Sequence, residues 1–86
     1  MTIVKKVWPK YFDAIIEGKK NFEIRLADFE CKEGDTIILK EWNPKNRKYT
    51  GRKVARRVTY VVKTKDIDFW STEDIEKHGL QVIGIK

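Results

Sequence analysis

The apolar positions change period several times along the chain, and each change marks an element. Thr2, Ile3, Val4 and Val7 form a β-branched run that predicts a strand from Thr2 to Trp8. Pro9 suits the first turn of a helix, where its missing N–H costs nothing. Tyr11, Phe12, Ile15 and Ile16 then recur at three- and four-residue spacing, giving one apolar helical stripe, and Gly18 supplies a left-handed stop. A helix of about nine residues is too short to be stable alone and has to pack on a sheet. Residues 20–26 predict a second strand, with Phe22 and Ile24 on one face and Glu23 and Arg25 on the other.

After a polar connection from Ala27 to Asp35, a third strand is predicted from Asp35 to Trp42. Ile37 and Leu39 share one face and Ile38, Lys40 and Trp42 the other, a pattern expected of a strand covered on both sides. Asn43 to Gly51 is turn-rich and basic and reads as a hairpin tip, from which Arg52 to Val62 returns as the longest strand. Ser71-Thr72-Glu73-Asp74 fits a helix-capping box, Gly79 a C-terminal stop, and Leu80 to Lys86 a last strand. The order β-α-β-β-β-α-β fits an α+β domain on a small open barrel with one or two short helices.

Composition narrows the picture. A chain of 86 residues has room for one core, so residues 1–86 are expected to be a single domain. Its 41% apolar content excludes a disordered tail. Cys31 and His78 are each the sole residue of their type, which excludes an internal disulfide, a Cys/His metal cluster and a His-paired nucleophile. No cofactor or metal is expected. No run approaches the roughly 20 apolar residues of a membrane span, and no signal-peptide block is visible. A cytoplasmic protein without a membrane partner is the expectation.

The net charge of +6 is unevenly placed. Between Pro44 and Lys65 there are nine Lys or Arg and no acid, including Arg47, Lys48, Arg52, Arg56 and Arg57. From Asp66 to His78 there are five acids and one Lys. A one-sign block over a third of a fold is the footprint of a polyanion partner. The most specific local pattern lies elsewhere, in Gly18-Lys19-Lys20-Asn21-Phe22-Glu23-Ile24-Arg25. There Lys20, Glu23 and Arg25 set an acid between two bases; spacing alone favours a surface ion pair, worth little.

Gly18, Lys20, Glu23 and Arg25 fit G-x-K-x-x-E-x-R, and in this the chain resembles ASCH domains, relatives of the PUA RNA-binding domains. Trp8-Pro9, Tyr11-Phe12-Asp13-Ala14-Ile15, Lys40-Glu41-Trp42-Asn43-Pro44, Tyr49-Thr50-Gly51-Arg52, Val58-Thr59-Tyr60 and Ile83-Gly84-Ile85 extend the likeness to a small bacterial and phage ASCH-like branch. The resemblance implies a PUA-like mixed-sheet pseudo-barrel with a cleft beside the helix–strand junction. It also implies RNA or nucleotide binding, with Lys20 and Arg25 holding phosphate or a base carbonyl and Glu23 a base edge. An enzymatic branch carries K-x-x-T-x-R and hydrolyses acylated cytidine; here Glu23 stands where its threonine would be, which weighs against catalysis.

The expected ligand is therefore RNA or a nucleotide, bound by Lys20, Glu23, Arg25, Trp8, Trp42, Arg47, Lys48, Arg52, Arg56 and Arg57. Positive charge would supply affinity and the tryptophans a stacking face, with Tyr49 in the basic loop beside them. Two alternatives stay open: a small hydrolase of a nucleoside amide or RNA, with Lys20 and Glu23 as acid and base, and a protein-interaction module using the acidic 66–76 segment. Thr59 and Ser71 are the hydroxyls to test in the hydrolase case. A monomer is the default.

Overall fold

The computed structural model describes residues 1–26, 28–64 and 69–78. Their elements run β1 (Thr2–Val7), α1 (Pro9–Ile16), β2 (Thr36–Asn43), β3 (Lys48–Arg57) and α2 (Thr72–His78). The strands form a mixed three-stranded sheet in the order β1-β2-β3, so this is a small α+β fold. β1 is parallel to β2, a pairing that needs a crossover, and α1 lies within it. β2 and β3 are an antiparallel hairpin.

Pro9 opens α1 at its first position, and the Trp8 carbonyl accepts the N–H groups of Tyr11 (3.0 Å) and Phe12 (2.9 Å). The helix ends where Gly18 turns left-handed, at φ +77°, and the N–H groups of Lys19 and Lys20 return to the Ala14 carbonyl at 2.9 and 3.0 Å. Phe12 and Ile15 are buried against Val7 and Leu39, with Ile37 and Val54 packed around them. Tyr11 and Ile16 stay about half exposed. An eight-residue helix with one sheet beneath it buries the narrow line through positions 12 and 15, and the outer edges of its stripe fall outside the contact.

Three sequence expectations need correction. Residues 20–26 form no ladder strand; the segment leaves α1 as irregular chain. β3 begins four residues earlier than expected, at Lys48 rather than Arg52, and ends at Arg57, so Val58–Val62 lie beyond it. The turn closes early because the Asn43 side chain accepts the Lys45 N–H (2.9 Å) and the Asn46 side chain accepts the Lys48 N–H (3.1 Å), while Arg47 takes a left-handed φ of 57°. Gly51 is not part of that turn but of a bulge. Lys40 faces Lys53 and Trp42 faces Tyr49, so Thr50, Gly51 and Arg52 together oppose Glu41, with Gly51 at φ +96°. The capped second helix forms as expected, the Ser71 hydroxyl accepting the Asp74 N–H at 3.1 Å. The strand expected at 80–86 lies outside the described residues.

Strand parity divides the sheet into two faces. Val7, Ile37, Leu39, Glu41 and Val54 face α1. Val4, Lys6, Ile38, Lys40, Trp42, Tyr49 and Lys53 occupy the other face, which no described helix covers. No described helix is long and apolar enough to cross a membrane.

Candidate functional site

The signature residues meet, though not on a strand. Lys20 Nζ donates to Glu23 Oε1 at 2.5 Å and to the Phe22 carbonyl at 2.8 Å. Arg25 Nε donates to Glu23 Oε2 at 2.9 Å. Both oxygens of Glu23 are thus engaged, one by each base, and the three groups carry a net +1. Their side chains are 16%, 19% and 29% exposed in chain order, so they form a half-withdrawn unit rather than a solvated pair. Gly18 makes this possible by reversing the chain before Lys20.

Arg25 ties the unit to the sheet by donating through Nη2 to the Lys6 carbonyl. In β1 the Met1 carbonyl points to β2, where it accepts the Thr36 N–H at 3.0 Å. Alternation then aims the Lys6 carbonyl away from β2, toward the side of β1 that has no strand partner among the described residues. The guanidinium caps an edge acceptor that a neighbouring strand would otherwise take.

Lys6 is the junction between the signature and the aromatic residues. Its ammonium lies 3.9 Å from the centre of the Trp42 ring and 5.8 Å from that of Tyr49. Trp42 and Tyr49 meet edge to face, 4.9 Å between centres and 77° between planes. Lys40 approaches Tyr49 from the same face at 5.7 Å. Register places Lys6 opposite Lys40 and Lys40 opposite Lys53, a rung of three lysines directly beside the aromatic pair. Sequence reasoning found Trp42 and Tyr49 but not this rung, whose members come from three separate strands.

The other expected site residues are dispersed. Trp8 sits at the start of α1 with its side chain about half exposed, and no aromatic partner is recorded for it among the described residues. Arg47 and Lys48 are exposed at the hairpin tip. Arg56 donates to the Ala55 carbonyl at 3.0 Å, and Arg57 lies near Gly34. These five are not gathered with Lys20, Glu23 and Arg25. Thr59 is exposed, and Ser71 caps α2.

Arg52 is committed to the fold. Its Nε and Nη2 donate to the two oxygens of Glu41 at 2.9 and 2.6 Å, Nη2 also reaches Asp13 at 2.7 Å, and the guanidinium lies 4.7 Å from the Phe12 ring centre. Thr50 Oγ donates to the same Glu41 carboxylate at 2.5 Å. The bulge therefore brings the residues on either side of Gly51 onto one buried acid. Arg52 and Thr50 hold the Glu41 carboxyl below its usual range, against the upward push of burial. Glu41, then Asp13, raise the Arg52 guanidinium above its already high value. The signal was present in the sequence: parity sets Glu41 on the apolar face with Leu39, where a charge requires a partner.

A shallow depression of about 340 Å³ lies against Arg25, lined also by Lys5, Ile24, Leu26, Asp28 and Phe29, with the Lys5 ammonium 3.7 Å from the Phe29 ring centre. Lys20, Glu23 and Trp42 do not line it. Among the described residues no group of His, Cys, Asp and Glu could hold a metal ion.

Fold and site define a class: a small basic α+β domain with a lysine- and aromatic-bearing sheet face, which no described helix covers, joined to a Lys–Glu–Arg unit. Within that class the chain belongs to the family described as "Domain of unknown function (DUF3850)", which residues 4–83 match. It is also similar to the "Uncharacterized 12.9 kDa protein in GpA 3'region" of Escherichia phage P2, 46% identical over 75 residues. Those residues make up 87% of this chain and 64% of the phage protein, so the chain spans less than two thirds of that relative. No solved structure matches.

Proposed function

We propose that this chain is an ASCH-type, PUA-like pseudo-barrel domain that binds RNA or a nucleotide beside the Lys20–Glu23–Arg25 unit. The observation that carries the reading is the junction at Lys6. Arg25 holds its carbonyl, and its ammonium lies on Trp42 beside Tyr49, so fixed positive charge and aromatic surface share one corner of the sheet. Those are the two components single-strand binding requires: charge for the backbone and a flat face for an unpaired base, the latter worth roughly 1–3 kcal/mol per base. Glu23, with both oxygens engaged, serves to orient Lys20 and Arg25 and does not read a base edge.

The test is a titration of labelled single-stranded RNA and DNA across a range of salt concentrations. The logarithm of the affinity should fall linearly with the logarithm of salt, at a slope of about −0.7 per phosphate contacted. Glu23→Gln should weaken all sequences alike. A flat salt response, or no binding at low salt, removes the proposal; a changed base preference in Glu23→Gln reassigns Glu23 as a reader.

A further inference from the structure

Lys6, Lys40 and Lys53 stand directly opposite one another across all three strands, on the face that no described helix covers. Strands lie about 4.8 Å apart, so the outer two members of the rung are separated by about 10 Å at the backbone. Like charges placed opposite each other in a sheet repel. None of the three makes an ion pair among the described residues. Lys6 and Lys40 turn toward the rings of Trp42 and Tyr49. A solvated face built for solubility would intersperse the signs. This one concentrates a single sign in a row and sets an aromatic row beside it.

We infer that the rung is the phosphate track of a single-stranded nucleic acid, whose backbone crosses the sheet from β1 to β3 while one base lies on the neighbouring Trp42–Tyr49 pair. This rests on the nucleic-acid reading above and deepens it by naming the contacting face and the direction of the strand. It departs from the course that the basic block suggests, along β3 through Arg47, Lys48, Arg52, Arg56 and Arg57. Arg52 is held by Glu41 and Asp13, and strand parity sets Lys48 and Arg56 on the face opposite the rung. Lys6 acts as a placeholder. In the free protein its ammonium covers the Trp42 face; a phosphate draws it away, and the base takes the vacated ring. Its flexible four-carbon stem permits that exchange without backbone motion.

The experiment compares Lys6→Gln, Lys40→Gln and Lys53→Gln with Lys45→Gln at the hairpin tip, titrating each with the same labelled single-stranded RNA at several salt concentrations. Each rung substitution should flatten the salt slope by about 0.7, and the tip substitution should leave it unchanged. Thermal midpoints, read alongside, should rise in Lys40→Gln at low salt and converge with the wild type at high salt, because the substitution relieves repulsion. If the wild type binds and the rung substitutions leave the slope unchanged, the track is overturned while the broader function stands. If the wild type binds no RNA at low salt, both fall. A lowered low-salt midpoint in Lys40→Gln would show that the fold relies on the rung, and would overturn the inference of an uncompensated site. Equal displacement of RNA by inorganic tripolyphosphate would likewise overturn it in favour of a simple anion site.

Discussion

Arg52→Ala removes the fork that closes over Glu41. The Glu41 side chain is 4% exposed, and without Arg52 its charge keeps, among the described residues, only the Thr50 hydroxyl. Stripping one partner from a fully buried ion pair costs about 3–5 kcal/mol. The Arg52 side chain, however, is 52% exposed, so water can follow it into the gap and recover part of that loss. The contact to exposed Asp13 adds no more than about 1 kcal/mol. The expected destabilisation is therefore about 2–3 kcal/mol, which in a domain of this size lowers the thermal midpoint by about 10–20 °C. Urea unfolding followed by circular dichroism measures it. Glu41→Met with Arg52→Ala should recover at least half the loss, since an apolar side chain on the core face needs no counter-ion. Arg52→Lys keeps the charge but not the fork and should fall between wild type and alanine. A loss below about 0.5 kcal/mol, or a double variant equal to the sum of its singles, would refute the view that this pair holds the bulge.

Two further outcomes follow from the same region. The carboxyls of Glu41 and Asp35 are both held low in the folded chain, the first by Arg52 and Thr50 and the second chiefly by the Lys32 N–H. Their contribution to stability is complete above the ordinary carboxylate value of about 4.3 for Glu and 3.9 for Asp, and is lost as pH falls through the lower folded values. Glu41→Gln should flatten the acid limb of a stability-against-pH curve, and an unchanged limb would show that the carboxyl is not linked to folding. Gly51→Ala meets no atom within 4 Å but must hold φ near +96°, so it should cost about 1 kcal/mol through backbone strain alone, read from the shift in urea midpoint.

The parts of this molecule that were legible in its sequence are those fixed by near neighbours along the chain. Phe12 and Ile15 announce the buried line of α1, Gly18 its end, and Ser71 the start of α2. Glu23 and Arg25, two apart, meet as spacing requires even though no strand forms, because a salt-bridged segment needs only the right side-chain reach. Alternation of Phe22 and Ile24 suggested a ladder strand there, but Ile24 is 65% exposed and the link to β1 is a guanidinium on a carbonyl. Gly51 signals a break in regular geometry, and its place in sequence points to the turn, but Asn43 and Asn46 close the turn before it and Gly51 falls in the bulge. The lysine rung was invisible for a different reason. Positions 6, 40 and 53 become neighbours only once the register of two strand pairings is known, and no local pattern carries that information.

Among the described residues β3 has one strand partner, so its outer side is a sheet edge ten residues long. Such a border invites foreign strands. Lys48, Arg52, Lys53, Arg56 and Arg57, with a glycine bulge in the middle, are what discourages them. The positive charge of this strand thus guards against self-association whatever else it contacts. A variant stripped of these charges to abolish ligand binding would also lose that guard, and its silence in a binding assay would mean nothing until light scattering had shown it to be monodisperse.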